Sequence, residues 1–141
     1  MSLSIDVTEK LDACLTLRFE VFVDEQGVPV EEERDALDDS ATHLLALKDG
    51  VPVGTARIVF TEDIAKIGRV CVVKSARGTG LGAKLIEACV AEARRRPDVT
   101  TAKLGAQIHA LGFYEKLGFE AFGPVYLDAG IDHRDMRRPL G

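Results

Sequence analysis

Cysteine is scarce in this 141-residue sequence, and the three present, Cys14, Cys71 and Cys89, are odd in number and widely spaced. They form neither a disulfide framework nor a CxxC-type metal site, and no metal is expected. Long apolar runs are missing too. None exceeds four residues, far short of the roughly 20 that a membrane-spanning helix needs, so no membrane segment is expected. The opening segment, MSLSIDVTEK, has neither a basic n-region nor an apolar core, which argues against secretion and for a reducing, cytoplasmic location. Repeats, low-complexity tracts and Pro/Gly/Ser-rich linkers are absent, so a single domain over residues 1–141 is expected. Nothing matches the phosphate loop G-x-x-x-x-G-K-[ST]. A pI near 5.2, without interleaved basic and aromatic residues, argues against nucleic-acid binding.

The charge that is present is unevenly placed. Residues 24–39 carry eight acidic groups against one basic, a net of -7, while residues 66–96 carry eight basic against two acidic, a net of +6. The formal total of -5 hides both. One stretch suits phosphate and the other suits cations.

Periodicity supplies the elements. Leu3–Val7 alternates as a strand, and Thr8 is positioned to cap a helix carrying Leu11, Leu15, Arg18 and Phe22. The acidic segment 24–39, with Gly27 and Pro29, reads as a loop with room for one short helix. His43–Leu47 and Val51–Phe60 flank a Lys-Asp-Gly turn as a hairpin, and Ile64–Val73 adds a third strand. Leu85, Ile86, Cys89, Val90 and Ala93 share one face of a helix over 80–96, stopped by Pro97. A strand over 99–104, a helix over 107–117 ended by Gly118, and short strands near 119–127 and 133–138 complete the chain. The order implies a mixed sheet with a β-α-β crossover from 64–73 to 99–104.

The richest segment runs from Val70 to Ala83, from strand through a glycine turn into a helix. Glycines let backbone approach a ligand, helix-start N–H groups favour phosphate oxygens, and Arg77 adds a fixed charge. Gly78, Gly80 and Ala83 match the dinucleotide pattern G-x-G-x-x-G/A, and Asp98 lies 20 residues past Gly78. The context fails: Asp98 precedes its strand instead of ending it, and Lys74–Arg77 separate the first glycine from the preceding strand.

Arg77-Gly-Thr-Gly80-Leu-Gly82 fits R/Q-x-x-G-x-G/A instead, and Gln107-Ile-His-Ala110-Leu-Gly-Phe113-Tyr114-Glu-Lys-Leu-Gly118-Phe119 fits N-x-x-A-x-x-F/L-Y-x-K-x-G-F. With these motifs the sequence resembles the GNAT N-acetyltransferase superfamily over nearly its whole length. Arg18-Phe-Glu-Val-Phe-Val-Asp-Glu-Gln-Gly27 and Leu127-Asp-Ala-Gly-Ile-Asp-His133 are most similar to the ElaA-like branch. The resemblance implies an α/β fold with a mixed, largely antiparallel central sheet and helices on both faces. It implies acetyl-CoA as co-substrate and a primary amine, small-molecule or peptide, as acceptor in a ternary complex; a homodimer is compatible with it.

The same resemblance implies site roles. The backbone of Val70, Cys71 and Val72 would hold the pantetheine arm, and Arg77, Gly78, Thr79, Gly80, Leu81 and Gly82 the pyrophosphate. Gln107, where many members have Asn, would contact the cofactor, and Tyr114 stands where the family has its general acid. Glu25 is the favoured general base, with Asp35, His43, His133 or a relayed water left open as alternatives. Cys71, among valines, reads as a buried thiol, and Arg94–Arg96 as charges complementing a helix C-terminus. The acidic segment suggests a cationic acceptor. A non-catalytic acyl-CoA-binding regulatory domain would share every cofactor feature, so it stands as the alternative.

Overall fold

Alternating apolar residues build the frame. The computed structural model describes residues 2–29, 33 and 36–140. Seven strands, β1 (Leu3–Thr8), β2 (Thr42–Lys48), β3 (Val51–Thr61), β4 (Ile64–Val72), β5 (Thr101–Gln107), β6 (Glu120–Asp128) and β7 (Ile131–Pro139), form one sheet in the order β1-β2-β3-β4-β5-β7-β6. Only β4 and β5 run parallel, and the other neighbours are antiparallel. The helices include α1 (Leu11–Arg18), α2 (Leu81–Arg94) and the short α3 (Leu111–Glu115). α2 is the crossover between the two parallel strands, which cannot be joined by a hairpin.

Helices cover both faces, as expected. In β2, Leu44 and Ala46 face α2 while Leu45 and Leu47 face α1. Leu85, Ile86, Cys89, Val90 and Ala93 of α2 are fully buried against Ala56, Ile58, Ile67 and Leu104. Each buried aliphatic side chain there contributes about 1.5–3 kcal/mol. Gly54 permits this close approach, because a Cβ at that position would lie 2.9 Å from Leu85 Cδ1 and 3.1 Å from the Cys71 carbonyl oxygen. On the opposite face, Cys14, Leu17 and Val21 pack on Leu45 and Cys71.

β4 changes phase halfway along. Gly68 pairs with Arg57 and Cys71 with Thr55, so Arg69 and Val70 together oppose Ala56, and Arg69 adopts a left-handed φ of 51°. This bulge reverses the alternation. Ala65 and Ile67 face the α2 core before it, Val70 and Val72 pack there after it, and Cys71 turns to the α1 side. β5 pairs with β4 only where Ile64–Ile67 oppose Thr101–Leu104. Beyond that point β4 stays with β3 and β5 stays with β7, and the two strands part.

Some expected boundaries move. Gln107 is not helical: its pairing with His133 extends β5, a 3-10 turn follows at Ile108–Ala110, and α3 spans only Leu111–Glu115. Thr8 does not cap α1 directly. Its hydroxyl accepts the Lys10 N–H at 3.0 Å, and Lys10, which flanks the helix, provides no side-chain cap. The acidic segment is not all loop. α1 runs on as π-helix through Phe19–Glu25, with the Gln26 N–H donating to the Val21 carbonyl at 3.1 Å, and Ala36–Asp39 form a 3-10 turn.

Candidate active site

The parting of β4 and β5 opens a cleft of about 700 Å³ lined by Val70, Gln107, Tyr114, Tyr126 and His133, among others. Tyr114 reaches it from α3. Its ring is half-buried, edge-on to Phe113 at 5.0 Å and to Phe119 at 6.1 Å. Burial pushes its phenol above the usual range, with Cys89 adding to the shift. The group therefore stays protonated at neutral pH, as a proton donor must.

The glycine turn lies at the start of α2. Gly78 and Gly80 take φ of 78° and 83°, which a residue with a side chain rarely adopts. Gly80 flanks the helix and no side chain caps it, so the first-turn N–H groups remain available to an anion. Thr79 is exposed, its hydroxyl donating to the Ala76 carbonyl at 2.6 Å, and the Leu81 side chain is buried. Gly82 lies beside Phe113, whose Cζ would be 3.5 Å from an added Cβ. Along β4, Val70 lines the cleft while the Cys71 side chain points away from it. Burial pushes the Cys71 thiol up to about 12, so it is no nucleophile.

Arg77 and Glu25 pair with each other. Glu25 was expected to reach towards the acceptor as general base. Instead both its carboxylate oxygens accept from Arg77, at 2.8 and 2.7 Å, and the guanidinium holds that carboxyl below the usual range. Such a carboxylate is a poor proton acceptor near neutral pH. Arg77 Nε donates to the Val72 carbonyl at 3.0 Å, so this pair ties the end of the π-helix to the glycine turn. Gln107 contributes from the other wall. Its Nε2 donates to Gln26 Oε1 at 3.1 Å and its Oε1 accepts from His109 Nε2 at 2.7 Å.

The remaining base candidates separate. Asp35 lies outside the described residues. His43 is buried away from the cleft, Nε2 donating to the Asp38 carbonyl at 2.9 Å. His133 lies on the cleft wall, with Nδ1 2.7 Å from the Ile131 carbonyl oxygen.

One charged cluster was missed. Arg18, 1% exposed, binds the Glu33 carboxylate and donates to Asp38 at 2.7 Å; Arg57 reaches Asp38 at 3.1 Å and Arg69 reaches Glu33 at 3.4 Å. Burial raises the Glu33 carboxyl against the pull of Arg18. The available signal was Arg18 itself, an arginine spaced with Leu11 and Leu15 on the apolar face of a helix. The cluster also changes the meaning of the acidic segment: Glu25, Glu33 and Asp38 are counter-charges to arginines, not free carboxylates awaiting a cation. At the far end of α2, about 20 Å from the glycine turn, Arg95 pairs with Glu92 at 3.1 Å and Arg96 covers the Phe60 ring at 3.6 Å.

A mostly antiparallel sheet that splays at its one parallel pair, with a glycine turn opening the crossover helix, is the architecture of acyl-CoA N-acyltransferases. The chain belongs to the GNAT acetyltransferase family, whose domain model matches residues 7–140. It is 36% identical over 131 residues to the uncharacterized N-acetyltransferase YjcF of Bacillus subtilis, covering 92% of this chain and 93% of that protein. An acyl-CoA N-acyltransferase structure from Pseudomonas aeruginosa is 38% identical with a TM-score of 0.87, covering 97% of this chain and 99% of that one. Escherichia coli ElaA is 30% identical with a TM-score of 0.86, at the same coverages. At the family level the chemistry is acyl transfer from an acyl-CoA. Among the described residues, no helix is long and apolar enough to cross a membrane.

Proposed function

We propose that this chain transfers an acetyl group from acetyl-CoA to a primary amine by direct attack within a ternary complex. The observation that carries this reading is a protonated, half-buried Tyr114 lining the cleft that opens where β4 leaves β5. The uncapped start of α2 and the left-handed Gly78 and Gly80 suit a pyrophosphate. The stretch of β4 beyond its pairing with β5 offers backbone groups to pantetheine amides, with a main-chain N–H near Val72 for the thioester carbonyl.

Tyr114 serves the departing thiolate. A phenol near ~10 protonating a thiolate near ~8.5 is uphill by roughly 2 kcal/mol, and burial raises the phenol further. Tyr114 therefore acts by hydrogen bonding, with proton transfer late. Glu25 neutralises Arg77 beside the glycine turn, in competition with a cofactor phosphate.

A thiol-release assay with acetyl-CoA over a panel of small and peptide amines tests the proposal. Amine-dependent release, reduced in Tyr114→Phe more than cofactor binding is, supports it. Acetyl-CoA binding without release for any amine favours a regulatory acyl-CoA-binding domain instead.

A further inference from the structure

We infer that His133 is the general base that takes the proton from the attacking amine; this rests on the acetyl-transfer reading above. The ring stands on β7, paired across the ladder with Gln107 of β5, and lines the same cleft as Tyr114. Its Nδ1 lies 2.7 Å from the Ile131 carbonyl oxygen. A carbonyl oxygen only accepts, so Nδ1 carries the hydrogen and, in the neutral ring, Nε2 holds the lone pair. Nε2 has no hydrogen-bond partner among the described residues.

The ring is also held in place. It stacks on Tyr126 at 6.0 Å between centroids and 25° between planes. The Tyr126 hydroxyl donates to Asp135 Oδ1 at 2.8 Å, crossing above Gly105, where any Cβ would collide with it. The anchor beneath the histidine is therefore built from three strands, β5, β6 and β7.

Other titratable groups nearby are committed or remote. Glu25 is bound by Arg77, and Glu33 by Arg18 and Arg69. Asp135 accepts from Tyr126 and faces Lys103 at 3.7 Å. His109 donates Nε2–H to Gln107. Asp128 and Lys66 also line the cleft, the first at the exposed tip of the β6–β7 hairpin and the second on β4.

The step balances simply. The amine nitrogen forms a bond to the acetyl carbon as the carbon–sulfur bond breaks. The nitrogen's proton passes to His133 Nε2, and the thiolate takes a proton from Tyr114. Solvent then removes the proton from the imidazolium and returns one to the phenolate.

His133→Asn is the direct test, because its amide N–H can still donate to the Ile131 carbonyl while Nε2 is lost. Spermidine, lysine and glycinamide are the probe amines, used with acetyl-CoA and the full chain. The expected result is a fall in kcat of about 10²-fold, an acetyl-CoA KM within about twofold of wild type, and loss of the acid limb of the kcat/KM profile. Asp128→Asn should keep that limb. Long-range nitrogen NMR of wild type should show the neutral ring protonated at Nδ1. Unchanged kcat and pH profile in His133→Asn, or a neutral ring protonated at Nε2, would overturn the assignment. Wild-type binding of acetyl-CoA without turnover of any amine would overturn the acetyl-transfer reading itself.

Discussion

The two halves of the sheet treat charge in opposite ways. Beside β2, β3 and the first part of β4, Arg18, Glu33, Asp38, Arg57 and Arg69 meet beneath α1 and its π-helical extension, nearly all of them buried. Beside β5, β7 and β6, Gln107, Tyr126 and His133 remain partly open along the cleft wall, with Asp135 bound to Tyr126. Buried ion pairs cost desolvation and contribute little net stability, but breaking one leaves a stranded charge. The first half thus fixes the geometry of the splayed strands, while the second retains polar groups able to meet a substrate. Glu33, Arg57 and Arg69 also line the cleft, so the first half meets the site as paired charges and the second as polar groups less committed to ion pairs.

Perturbing the first half should appear as lost stability. Arg18→Met removes the most deeply buried cation shared by Glu33 and Asp38, leaving Arg69 and Arg57 on them, and a loss of about 3 kcal/mol in equilibrium urea unfolding is expected. An unchanged midpoint would erase the distinction between the halves. Perturbing the cleft should instead appear as lost turnover. Tyr114→Phe should lower kcat by about 10²-fold with little change in the unfolding midpoint. Because burial raises the Tyr114 phenol, wild-type kcat should decline on the alkaline side only above about pH 10. The sign follows from the role: the donor works when protonated and fails as rising pH removes its proton.

Smaller effects sharpen the same contrast. Gly54→Ala forces a Cβ against Leu85 and the Cys71 carbonyl, and about 1–3 kcal/mol of stability should be lost in urea unfolding. Glu25→Gln leaves Arg77 without its carboxylate, and the KM for acetyl-CoA should fall by about threefold as the guanidinium turns to phosphate. Titration of KM against salt checks this, since the freed arginine should make cofactor binding more salt-sensitive.

Much of the architecture was legible because it rests on local signals. The α2 stripe from Leu85 to Ala93, the glycine turn at 78–82 and the helix bearing Tyr114 all carry their own periodicity or composition. What was hidden depends on long-range pairing. The run Ile64–Val73 reads as one uniform strand, and only its register against β3 reveals the bulge at Arg69 and Val70 that opens the cleft. Gln107 has the look of a helix start until its pairing with His133 is known. Acidic residues at 24–39 suggest a solvated loop, because nothing local announces that Arg18, Arg57, Arg69 and Arg77 converge upon them. His133 stood among several alternatives, and the Ile131 carbonyl that fixes its tautomer is visible only in the folded hairpin.

Initial-velocity measurement of thiol release, varying acetyl-CoA and a primary amine together, tests the central claim most directly. The account predicts amine-dependent release with intersecting double-reciprocal lines, as direct transfer in a ternary complex requires. Parallel lines would contradict direct transfer, and acetyl-CoA binding with no amine-dependent release would contradict acetyl transfer altogether.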